Sequence, residues 1–129
     1  MAIFVENLEK QTVENTNFRK VISTNGHSQL VLMSLEPMEE IGMETHPNVD
    51  QFFRIEEGFG KAVLDGTEYE FSAGFGIVIP AGTEHNIINT SATDNLKVYT
   101  IYSPANHPDG TIQATKAEAE EAEEKEHNK

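Results

Sequence analysis

The chain has 129 residues, no cysteine and a formal net charge of −13. Without cysteine there are no disulfides and no thiolate ligands, so any bound metal must be held by imidazole, carboxylate or amide oxygen. The charge repels phosphate backbones and anionic lipid surfaces, which argues against nucleic acid and membrane as partners. Of that charge only −3 belongs to Lys116–Lys129, so the body of the chain is itself acidic.

No stretch reads as a linker, and the length suits one domain that buries roughly two thirds of its unfolded surface. The opening residues, MAIFVENLEK, have neither a basic n-region nor an apolar h-region. No apolar run approaches ~18 residues. The expected location is therefore cytoplasmic.

Residues 1–17 are expected to form a turn of helix or a short strand, with Ile3 to Val5 placed to add to a sheet edge. From Phe18 to Tyr102 short β-type runs follow one another: FRKVIS, SQLVLMSL, DQFFRIEEG, GKAVLDGTEYEF, FGIVIP, HNIINT and LKVYTIY. Each is bounded by Gly, Pro, Asn or Asp, the pattern of an antiparallel sandwich or barrel spanning residues 18–104. Asp65-Gly66 suits a two-residue type I′ turn. Its register pairs Leu64 with Thr67, Ala62 with Tyr69 and Lys61 with Glu70, giving one mostly apolar face and one charged face.

Residues 105–129 read as a turn and an acidic tail. Thr115 and Glu118 form a capping box, and Glu121 and Lys125 are spaced i,i+4. From Thr115 on the only apolar residues are alanines, so a frayed helix or a disordered tail is expected. His27, in TNGHSQ, and His107, in NHPDG, are expected in exposed loops, and His127 belongs to the tail.

The stretch from Gly74 to Asn89, GFGIVIPAGTEHNIIN, carries Gly74, Pro80, Gly82, His85 and Asn89 at the spacing G-x5-P-x-G-x2-H-x3-N. It resembles the second motif of the cupin superfamily. Upstream, GMETHPNVDQFFRIEEG resembles the first motif with two departures: Glu44 stands where the family has its first His, and Gln51 stands where it has Glu. His46 keeps the second His, and Gly42 is a loose match to the initial Gly. A shorter spacing would make Asp50 the carboxylate. Strand parity decides for Gln51. An inward Asp50 would bring Arg54 and Glu56 inside, at a cost on the order of 2–7 kcal/mol per unpaired group. An inward Gln51 brings Phe53 and Ile55 instead.

The resemblance implies an all-β fold, the cupin double-stranded β-helix or jelly-roll barrel, and a homodimer. It also implies one divalent ion held by Glu44, His46, Gln51 and His85. Two nitrogens and two oxygens suit Zn, Mn, Fe, Ni or Co. The two departures leave the ligand charge at −1, since one adds a carboxylate and the other removes one. The function this implies is Lewis-acid or acid/base chemistry on a small organic molecule, isomerase-, lyase- or cyclase-like, with dioxygenase-like chemistry less favoured. Glu44 is either a ligand or a general base. A non-catalytic small-molecule-binding module is the alternative. Arg54 is the nearest cation to the motifs and is expected to face outward, which gives phosphate little support. Tyr99 and Tyr102 are expected to be packing residues or cavity lining.

Overall fold

Alternation at period two, broken by Gly and Pro turns, yields nine strands between two helices among the described residues. The structure, a computed structural model, describes residues 3–127, and side chains as far as residue 124. The elements in chain order are α1 (Leu8–Glu14), β1 (Arg19–Thr24), β2 (Gln29–Leu35), β3 (Asp50–Glu57), β4 (Phe59–Leu64), β5 (Thr67–Ser72), β6 (Gly76–Ile79), β7 (His85–Asn89), β8 (Leu96–Ser103), β9 (Ile112–Gln113) and α2 (Lys116–His127).

Two antiparallel sheets face one another, with strand orders β6-β3-β8-β2-β1-β9 and β5-β4-β7. The open side of β7 is bridged by an irregular segment through Glu40–Ile88 and Glu44–His85. Inward residues of β2 (Val31, Met33, Leu35), β3 (Phe53, Ile55) and β8 (Leu96, Val98) pack with Ala62, Phe71 and Ile87 of the smaller sheet. This is the jelly-roll expected from the sequence.

On β3, Gln51, Phe53 and Ile55 are buried and Asp50 is exposed, as parity requires. Arg54 turns outward and pairs with Glu56 at 2.7 Å. The β4–β5 hairpin has the expected register. Asp65 (φ 48°) and Gly66 (φ 84°) supply the two positive φ angles of a type I′ turn.

Of the two alternatives for the N-terminal segment the structure takes the helix, at residues 8–14, while Ile3 and Val5 are exposed and outside any strand. The cause is local: the Asn7 side chain caps the helix by accepting the Lys10 N–H at 3.0 Å. The buried Lys97 ammonium then donates to the Asn15 carbonyl and, at 3.0 Å, to Ser34 Oγ, which ties the helix end to β8. At the other end, the sheet runs past residue 104, because β9 pairs with Arg19 and Lys20 of β1.

The acidic tail is a docked helix through His127. Thr115 Oγ1 accepts the Glu118 N–H at 3.2 Å, and the Glu118 carboxylate accepts the Ala114 N–H at 2.7 Å. Ala119 joins the core. Packing thus supplies what the helix's own composition lacks. No described helix is long and apolar enough to cross a membrane.

Candidate metal centre

The turn from Pro80 to Thr83 delivers His85 to the first position of β7. Gly82, at φ 84°, donates its N–H to the His46 carbonyl at 2.9 Å, so the two sequence motifs are joined through backbone. Glu44 and His85 exchange both backbone hydrogen bonds, each 2.8 Å.

The side chains converge accordingly. His46 Nε2 lies 3.2 Å from Glu44 Oε2, and His85 Nε2 lies 3.9 Å from the same oxygen. One ligand atom from each of Glu44, His46 and His85 falls within 4.8 Å of the others. Two atoms that each sit about 2.1 Å from one ion are about 3.0–3.4 Å apart, so Glu44 and His46 already stand at that spacing and His85 must move closer to share a cation.

The tautomer of His85 follows from its partner. Nδ1 lies 2.9 Å from the Thr83 carbonyl, which only accepts, so Nδ1 carries the hydrogen. In the neutral ring Nε2 then keeps the lone pair, and it is buried without a hydrogen-bond partner. A histidine held this way has its second nitrogen ready for a metal.

Gln51 is also buried. Its Nε2 donates to Thr100 Oγ1 at 2.9 Å, while its Oε1 has no partner. It neighbours Tyr102 across the β3–β8 ladder. The rejected alternative, Asp50, is exposed and its carboxylate accepts the Ala81 N–H at 2.8 Å.

Burial alone would raise the Glu44 carboxyl. The hydrogen bond and charge of His46, with Arg19 and His85, outweigh it and hold the carboxyl below its ordinary range. Tyr102 is kept protonated mainly by burial, with Glu44 adding to the effect and Arg19 opposing it. Its ring stands edge-on to His46 at 6.0 Å and to His107 at 5.1 Å.

Glu44 and His46 open onto a cavity of about 560 Å³, whose wall also includes Arg19, His107 and Gln113 and, from α2, Glu123, with the buried His85, Gln51 and Tyr102 behind it. Two expectations are corrected here. His107 is not an exposed turn residue: it is half-buried, its Nε2 lies 3.3 Å from the Tyr102 hydroxyl, and its main chain is gripped by Gln29. Arg54 is not the nearest cation, because Arg19 lies in the cavity wall, buried at 3% exposure. Of the two tyrosines, Tyr102 borders the site, while Tyr99 packs on Phe52 on the outer face. Parity could have found both Arg19 and Tyr102. With Val21 and Val98 inward, Arg19 and Tyr102 lie at even spacing from them on β1 and β8.

A family model described as a cupin domain matches residues 31–102. An uncharacterized protein of Acanthamoeba polyphaga mimivirus is 48% identical over 120 residues, which cover 91% of this chain and 75% of that protein. The uncharacterized protein YrkC of Bacillus subtilis is 48% identical over 129 residues, covering 93% of this chain and 67% of its own length. A crystal structure from Bacillus halodurans is 43% identical and superposes with a TM-score of 0.89, covering 92% of this chain and 93% of that one. KdgF from Halomonas, at 20% identity and a TM-score of 0.63, covers 68% of this chain and 78% of its own, a likeness of fold alone.

Proposed function

The chain belongs to the cupin domain family, and from that premise we propose that it holds one divalent ion through Glu44, His46 and His85, with Gln51 Oε1 as the fourth donor. The observation that carries this reading is His85 Nε2: buried, unpartnered, and fixed as a lone pair by the Thr83 carbonyl. Two nitrogens, a carboxylate and an amide oxygen suit Zn, Mn, Fe, Ni or Co.

The activity we infer is acid/base or Lewis-acid chemistry on a small organic molecule in the adjoining cavity. The ion, when bound, polarises a carbonyl or enol oxygen of that molecule. The chain's own groups do the rest. The Glu44 carboxylate, held ionised, serves as a ligand or accepts a proton. The Tyr102 hydroxyl, held protonated and 3.3 Å from His107 Nε2, backs the site without lining the cavity.

A second reading, a non-catalytic binding module, is favoured by the position of α2: Ala122 and Glu123 border the cavity, so a bound molecule would touch the acidic helix directly. In an enzyme, Gln51→Ala loses turnover and keeps its fold. A binder shows ligand-dependent melting with no product.

The metal itself is tested by elemental analysis of untagged protein. Near one equivalent is expected in the wild type, lost in His85→Ala. A wild type that stays metal-free after supplementation overturns the reading.

A further inference from the structure

We propose that Arg19 is the anion anchor of this cavity and that the molecule it receives carries a carboxylate; only the placing of that molecule's other end, toward the ion, rests on the metal reading above. Arg19 opens β1 on the inward parity shared with Val21, and it is almost fully buried. Its guanidinium lies over the Phe18 ring, 5.3 Å from the centroid, which restrains its plane. Nη1 donates to Gln113 Oε1 at 2.8 Å, Nε is buried without a hydrogen-bond partner, and the guanidinium also bears on the Tyr102 hydroxyl. Among the described residues no carboxylate lies within 4.0 Å of the guanidinium.

An unpaired buried cation is costly, typically several kcal/mol. A hydrophobic residue of similar volume would serve packing alone better. What distinguishes the position is the cavity: Arg19 is in the same wall as Glu44 and His46. With Nη1 engaged by Gln113, the edge formed by Nε and Nη2 has no protein carboxylate on it. That edge carries two nearly parallel N–H bonds, the match for the two oxygens of a carboxylate; Nε is buried, so a carboxylate reaches it only as the side chains over it move aside.

Charge favours a carboxylate over a phosphate. Arg19 is the single Lys or Arg among the described lining residues, and Glu44 and Glu123 line the same space. A phosphate dianion would meet one cation and two acids. A carboxylate is matched by the one cation.

The test uses the full chain, both metal-loaded and metal-stripped, with pyruvate, malate, the neutral ester methyl pyruvate and inorganic phosphate as probes in calorimetric and thermal-shift titrations. At least one acid is expected to bind the wild type. The ester, and the acid on Arg19→Gln, should bind at least about tenfold more weakly, the scale of a lost charged hydrogen bond. Gln113→Glu keeps a partner for Nη1 and supplies a competing carboxylate beside the guanidinium. It should weaken the acid similarly, even where Arg19→Gln does not fold. The proposal is overturned if no acid binds the wild type, if the ester binds as well as the acid, if Gln113→Glu retains wild-type affinity, or if phosphate displaces the acids at lower concentration. Arg19-dependent acid binding by a chain that takes up no metal sinks the metal reading and leaves this one standing.

Discussion

The Gln51 amide donates to Thr100 Oγ1 at 2.9 Å across the β3–β8 ladder, and both residues are buried, at 3% and 0% exposure. In this orientation the amide nitrogen is spent on the hydroxyl and the carbonyl oxygen is left unpartnered. Thr100→Val keeps the volume and removes the acceptor. The unsatisfied amide should cost about 1–3 kcal/mol in a denaturation midpoint series. An unchanged midpoint would show that the bond adds nothing.

Gln51→Glu tests what the free oxygen faces. It places a second buried carboxylate near Glu44, where burial and like charge both oppose ionisation. Metal-stripped protein should melt lower than wild type. Added zinc or manganese should then raise the melting temperature by more than it does in wild type, because the donor charge becomes −2. Equal metal responses in the two proteins would place Gln51 away from the ion.

At Gly60 the requirement for glycine is one of space. A Cβ there would run into the Ile88 carbonyl oxygen of the adjacent β7 and stand 2.9 Å from the Phe71 ring. The obstacle is backbone, which cannot swing aside. Gly60→Ala should lose about 1–3 kcal/mol or more. Gly26 has nothing within 4 Å, so Gly26→Ala should stay within about 0.5 kcal/mol of wild type. Similar effects at both sites would remove the steric account.

The barrel was legible because its signals are local. Alternation placed Gln51, Phe53 and Ile55 inside, and Asp65-Gly66 fixed the hairpin register. The Gly74–Asn89 spacing located His85. What escaped was set by contacts distant in sequence. Arg19 meets Gln113 across 94 positions, and Gln29 holds the main chain of His107 across 78. Neither pairing leaves a periodic trace. The α1 helix did leave a local one, an Asn7 cap followed by good helix formers, and a turn of helix is one of the two readings of that segment. The α2 helix has no apolar stripe, and its docking through Ala119 exists only once the barrel surface is formed.

Self-association is the expected state in solution. Tyr69 and Phe75, each about half exposed, and Val78, at 71% exposure, flank a cleft of about 280 Å³ between β5 and β6, and each of those strands ends its sheet. An exposed apolar cleft between two sheet edges is a natural seat for a second copy. Light scattering at micromolar concentration should give a dimer, and Val78→Asp should shift it toward monomer. A monomeric wild type refutes this assignment.

His107 sets a pH dependence whose sign is determined. Burial first, and then the positive charges of Arg19 and His46 against the opposing pull of Glu44, push its folded pKa down from 6.5 to about 4. Above about pH 6.5 the ring is neutral whether folded or unfolded, and it contributes no slope. Between about 6.5 and 4 the unfolded chain takes up a proton that the folded chain refuses, so stability falls as pH falls. Below about 4 both states are protonated and this contribution stops changing. Glu44 acts in a lower window: its folded carboxyl lies below the ordinary 4.5, so its contribution is present above that value and lost as pH falls through the folded pKa. Urea midpoints at about pH 7, 5.5 and 4.5 should therefore decline in wild type, with a slope from this residue of at most about 1.4 kcal/mol per unit. His107→Gln should flatten that decline while keeping a polar group near the Tyr102 hydroxyl. An equally steep decline in the variant would assign the pH dependence to another group.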